Sequence, residues 1–97
     1  MSTSGDAPLN TLHVLHDPSA LPALRRLWSA GDSLLLAGAA VTLACRTDAD
    51  LPSPCLVCVE AVRARGLSTR LPAHMATVDA AGWVALAVAH ARSVSWS

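Results

Sequence analysis

The sequence predicts a single three-layer α/β/α domain built on a mostly parallel sheet of four to five strands. Three observations carry that prediction. Gly31-Asp32-Ser33 is followed by the unbroken apolar run Leu34-Leu35-Leu36-Ala37, closed by Gly38, which is the pattern of a central strand buried on both faces. Short apolar strand-like segments alternate with helical spacing along the chain, as in a parallel sheet whose crossovers are helices. The 97 residues are enough for one domain that buries ~65% of its unfolded surface.

Leu9-Asn10-Thr11-Leu12-His13-Val14 reads as the first strand, preceded by a small, polar segment over 1–8 that is expected to be a disordered tail, with the domain spanning 9–97. Asp17-Pro18-Ser19 then supplies an N-cap and a proline in the first helical turn. Leu21, Leu24, Leu27 and Trp28 recur at helical spacing, so a helix is expected from about Ser19 to Ala30, with Gly31 as its stop. After the central strand, Gly38 to Cys45 is expected to be helical, and Arg46 to Pro54, rich in Asp and Pro, to be loop. Cys55 to Val59 reads as a buried strand, Glu60 to Arg65 as a short helix ended by Gly66, and Leu67 to Ala73 as irregular. Met75 to Val78 is the fourth strand. Asp79 caps the longest helix, with Trp83, Leu86 and Val88 as its inward stripe and His90 at its end, and Ser93 to Trp96 is a final strand.

Composition narrows the function. Seven Arg and no Lys balance six Asp and one Glu, scattered along the chain, so no basic stripe for nucleic acid forms. Hydrophobic residues make up 53% against 14% charged, and the mean hydropathy is +0.43, an apolar surplus that partner subunits would cover. The residues from Met1 to Ala7 do not read as a signal or transit peptide. The longest uncharged apolar window, Ser33 to Cys45, falls short of the ~20 residues of a membrane span. A cytoplasmic protein is expected, and an odd count of three cysteines agrees with a reducing compartment.

Catalytic motifs are sparse. Neither G-x-G-x-x-G nor G-x-x-x-x-G-K-[ST] occurs, so no nucleotide cofactor is expected, and Glu60 stands alone as a first-turn helix acid. His74 and His90 are too far apart for a compact zinc motif, so no metal is expected. His13 and His16 follow the first strand and are expected to serve at a surface or interface. Cys55-x-x-Cys58 falls in a strand, where a ~3.3 Å rise per residue puts the two Cα atoms ~10 Å apart on opposite faces. A disulfide needs roughly 4.4–6.8 Å, so two inert buried thiols are expected, with a redox pair at a helix N-terminus as the minor alternative. Cys45 ends an apolar segment beside Arg46, where a neighbouring positive charge favours a thiolate, and is the one candidate sulfur carrier.

Taken in order, Leu9-x-Thr11-Leu12-His13, Gly31-Asp32-x-Leu34-Leu35-Leu36, Ala64-Arg65-Gly66-Leu67, Asp79, Leu86-x-Val88-x-His90 and Trp96 give the chain a resemblance to the TusB/DsrH family of sulfur-relay subunits from Leu9 to Trp96. The resemblance implies a heterohexamer of two copies each of three related α/β subunits, the partners being TusC/DsrF-like and TusD/DsrE-like. Sulfur would pass through it as a cysteine persulfide between upstream and downstream carrier proteins, towards 2-thiolation of the tRNA wobble uridine, with the main acceptor cysteine on a partner. The alternative branch, sulfur oxidation, places a cysteine in the first helix of this subunit, and Ser19 to Ala30 contains none. A mainly structural subunit without its own catalytic cysteine is therefore expected. A stand-alone thiol or persulfide carrier using Cys45 or Cys55/Cys58 and a simple α/β interaction protein unrelated to sulfur are the two other function classes, both separable by co-purification with homologous subunits.

Overall fold

The computed structural model describes residues 10–46 and 48–97. The expected tail over 1–8, and Leu9 at the start of the first strand, lie outside the described residues. Five strands, β1 (Thr11–Leu15), β2 (Ser33–Leu36), β3 (Cys55–Cys58), β4 (Ala76–Val78) and β5 (Arg92–Trp96), form one sheet in the order β4-β3-β2-β1-β5, with every neighbour parallel. The apolar run Leu34-Leu35-Leu36 is thus the middle strand, fully buried, as its lack of alternation predicts. Between the strands stand α1 (Leu21–Arg26), α2 (Val59–Ala64) and α3 (Ala80–Ala89), with 3-10 segments at Pro18–Ala20 and Gly38–Cys45.

The order of the strands decides which face each helix covers. From β1 to β4 the chain steps in one direction across the sheet, so right-handed crossovers set three connections on one face. There Leu24 of α1, Ala40, Val41, Leu43 and Ala44 of the 3-10 segment, and Val62 of α2 pack with Leu15, Leu34, Leu36 and Val57. The step from β4 to β5 runs the other way, and among the described residues α3 crosses the opposite face alone. On that face Trp83 and Leu86 close over Leu12, Val14, Leu35, Ala37 and Cys58. The result is the three-layer α/β/α arrangement, with unequal layers.

Several local expectations are corrected. The first helix does not reach Ala30: α1 ends at Arg26, capped by Leu27, whose N–H bonds Leu24 O at 3.1 Å, and Trp28 N–H turns to Arg25 O at 3.3 Å. Its last residues leave the helix because Ser29 N–H is drawn to the Asp32 carboxylate. Leu27, expected on the apolar face, is consequently 64% exposed. Gly38–Cys45 is a 3-10 helix rather than an α-helix, buried at Ala40, Val41, Leu43 and Ala44. Eight residues is long for that geometry, and the small Ala side chains let it lie close on the sheet. In α3 the inward stripe is Trp83 and Leu86 alone, both half-buried. Val88 is 81% exposed, because among the described residues no other helix shares that face. The strand ends differ from expectation by one residue or so, and Asp79 caps α3 as predicted, its Oδ1 accepting from Gly82 N–H at 2.8 Å.

Candidate functional site

Thr11-Leu12-His13 brings an imidazole into the middle of β1, and Gly31-Asp32 brings a carboxylate to the entry of β2. Gly31 takes φ 93, a left-handed conformation open to glycine, and that turn lets Asp32 fold inward. His13 is only 3% exposed, so its expected surface or interface role is corrected: it is a core residue. Its Nε2 lies 2.8 Å from Asp32 Oδ2, and its Nδ1 lies 3.1 Å from Trp96 Nε1. An indole N–H only donates, so Nδ1 accepts, the proton sits on Nε2, and Nε2–H donates to Asp32. Asp32 also accepts from Thr11 N–H on Oδ1 and Ser29 N–H on Oδ2, both at 3.0 Å. Burial pushes the Asp32 carboxyl up, but the bonds from His13, Ser29 and Thr11 outweigh it and hold the group below its ordinary value. Trp28 covers the ring, centroids 5.2 Å apart. This network joins β1, β2, the end of α1 and β5.

The sequence does not reveal the pair. Gly31-Asp32 reads as a helix stop, and only the alignment of β1 with β2, Leu12 opposite Ser33, carries Asp32 to His13. A carboxylate directly ahead of a fully buried strand, Ser33–Leu36, is the signal that points to it, since an acid there is carried into the core and needs donors.

The cysteines separate as their strand placement predicts. Cys55 faces the α1/α2 layer and Cys58 faces the α3 layer, so the C-x-x-C spacing makes no pair. Burial pushes the Cys55 thiol up to about 11. At the amino edge of the sheet Cys45 and Cys55 line one cavity of about 600 Å³, with Arg46, Ser53, His74 and Met75 on its rim. The positive charge offered to Cys45 by its neighbour is engaged elsewhere, because Arg46 Nε–H and Nη2–H donate to the two Asp48 carboxylate oxygens at 2.9 and 2.7 Å. Among the described residues no three His, Cys, Asp or Glu side chains converge to hold a metal, and no helix is long and apolar enough to cross a membrane.

At the carboxyl edge, where ligands of open α/β sheets sit, the strand order reverses between β1 and β5. His16 stands there, its N–H bonded to Trp96 O at 2.8 Å and its ring 6.4 Å from that of Trp83. Gly38 turns against it at φ 51, where a Cβ would meet His16 O at 3.4 Å, and Arg65 Nε–H donates to Gly38 O at 3.1 Å. The Asp17 side chain is committed to the Ser19 N–H and hydroxyl, both at 2.9 Å.

These features define a small parallel α/β domain whose polar core is a histidine–carboxylate pair and whose last helix leaves an apolar outer side. The family model described as DsrH like protein matches residues 16–93, and the chain belongs to that family. It is thereby a sulfur-relay subunit in general character, of a family that works in multisubunit complexes. No curated protein matches the sequence.

Proposed function

We propose that this chain is a mainly structural subunit of a heterohexameric, cytoplasmic sulfur-relay complex that passes persulfide sulfur towards 2-thiolation of the tRNA wobble uridine. Its partners in this reading are TusC/DsrF-like and TusD/DsrE-like subunits, and the sulfur-accepting cysteine lies on one of them. Membership of the DsrH-like family supports the general role. The observation that carries the structural assignment is the outer side of α3. That helix, Ala-Ala-Gly-Trp-Val-Ala-Leu-Ala-Val-Ala, has no charged residue, and Val84 and Val88 are 62% and 81% exposed. Such a patch on a small domain marks a protein contact.

The thiols agree with it. Cys55 is held protonated by burial and Cys58 is packed under α3, while Ser19 to Ala30 contains no cysteine, where the resemblance to the sulfur-oxidation branch would place one in the first helix. Co-expression with the two homologous subunits and native mass spectrometry test the reading. A stable assembly with equal copies of all three is expected. A chain that stays alone in their presence overturns it.

A further inference from the structure

Three neighbours surround the His13 ring, and a proton affects them differently. Asp32 lies at 2.8 Å on the Nε2 side; imidazolium would turn that hydrogen bond into an ion pair. Trp28 covers a face of the ring, with planes 29° apart, and an aromatic face attracts a cation. Trp96 lies further from the ring, its centroid 6.1 Å away with planes 27° apart, and its N–H is aimed at Nδ1. A proton on Nδ1 sets donor against donor across that 3.1 Å contact. Two neighbours thus favour the charged ring and one opposes it.

The one that opposes carries β5. Among the described residues this edge strand pairs with β1 alone, Arg92 to Ser95 are exposed, and half-buried Trp96 is its anchor in the core. The opposite end of β5 is tied independently: Arg92 Nε–H donates to Thr11 Oγ1 at 3.0 Å, and Ala91 N–H reaches Asn10 O at 3.1 Å and Oδ1 at 2.9 Å. Of the charged groups around the ring, Asp32 comes from the entry of β2 and Arg92 from β5, the latter engaged by Thr11; α1 and its C-terminal turn present Trp28.

We infer that His13 is a proton-operated latch on β5: protonation draws the ring onto Asp32 and Trp28, releases Trp96, and lets β5 open from its Trp96 end while Arg92 and Ala91 hold the other. The opening uncovers the His16 N–H, whose partner is Trp96 O, and with it the free edge of β1.

The test follows the 15N-labelled full chain, in whatever assembly it forms, from pH 8 to pH 5. The His13 ring and the Trp96 indole N–H are read by NMR, and amide exchange is corrected for its intrinsic pH dependence. The Trp96 N–H is expected to lose its hydrogen-bonded shift with the midpoint of His13 titration. Protection at His16 and along β5 falls ~tenfold, while Leu35 and Val57 keep theirs. Trp96→Phe, which keeps an aromatic anchor without the N–H, removes the pH dependence. A Trp96 N–H that stays bonded through His13 titration overturns the latch, as does a His13 that stays neutral to pH 5 or a Phe variant with the wild-type pH response. The coincidence of the two wild-type midpoints decides even where the variant does not fold.

Discussion

His90 and Ser33, 57 residues apart, close the end of α3 onto the entry of β2. His90 Nδ1–H donates to Leu86 O at 2.7 Å, which fixes the tautomer, and Nε2 then accepts from the Ser33 hydroxyl at 2.9 Å. A helix terminus leaves carbonyls without partners, and this ring serves one of them while tying the helix to the sheet. His90→Ala should lower stability by about 1–2 kcal/mol and Ser33→Ala by about 1 kcal/mol. The double variant should cost less than the sum, because both remove one bond. Urea denaturation of the four proteins checks it, and strict additivity would contradict the contact.

Asp32 should dominate the acid limb of stability. Its folded-state pKa lies below the ordinary 3.8, so its contribution is present above that value and is lost as pH falls through the lower, folded-state value. Asp32→Ala strands the Thr11 and Ser29 amides and the His13 ring, and should cost about 3 kcal/mol at pH 7. Denaturant midpoints at pH 7 and pH 3 should converge between wild type and variant, and an equal gap at both pH values would remove the carboxylate from the account.

The two sides of α3 should behave oppositely. Trp83 is half-buried against the cluster of Leu12, Val14, Leu35, Ala37 and Cys58, and Trp83→Ala should cost about 2 kcal/mol, less than the ~3–5 kcal/mol of a fully enclosed aromatic. Val88→Asp on the exposed side should change stability by no more than ~0.5 kcal/mol yet weaken assembly with the partner subunits. Thermal melts and analytical ultracentrifugation separate the two effects, and an unchanged assembly in the Asp variant would move the interface elsewhere.

Alkylation kinetics should rank the thiols. With a pKa of about 11, only ~0.1% of Cys55 is thiolate at pH 8. Iodoacetamide should therefore label half-buried Cys45 well ahead of Cys55 and of Cys58 beneath α3. All three should be replaceable without abolishing sulfur transfer by the assembled complex, and persulfide mapped to Cys45 together with lost transfer in Cys45→Ser would give this chain a carrier role.

How far the sequence speaks depends on the range of the interaction. The uninterrupted Leu34-Leu35-Leu36 run announces a strand buried on both sides, and the spacing of Cys55 and Cys58 announces opposite faces, because both follow from local periodicity. The end of α1 does not follow from it, since Ser29 leaves the helix for a carboxylate three residues ahead that is itself turned by Gly31. Val88 looks inward by pattern and is exposed in fact, because the pattern cannot say how many helices share a face. The pair of His13 and Asp32 is the clearest case: each residue has an ordinary local explanation, and only the register of β1 on β2 joins them.

The place of β1 in the strand order bears on how the chain is made. Thr11 must wait for Arg92, 81 residues later, before its second edge is paired, while β2, β3 and β4 can be added in turn as they are synthesised. Throughout translation β1 therefore presents an open row of amides and carbonyls, next to the most apolar segment of the sheet, to any other extended strand nearby. A ribosome pausing within α3 would hold the nascent chain in its most aggregation-prone form, and a chaperone that binds extended apolar segments should be found on β1 until the last five-residue strand arrives.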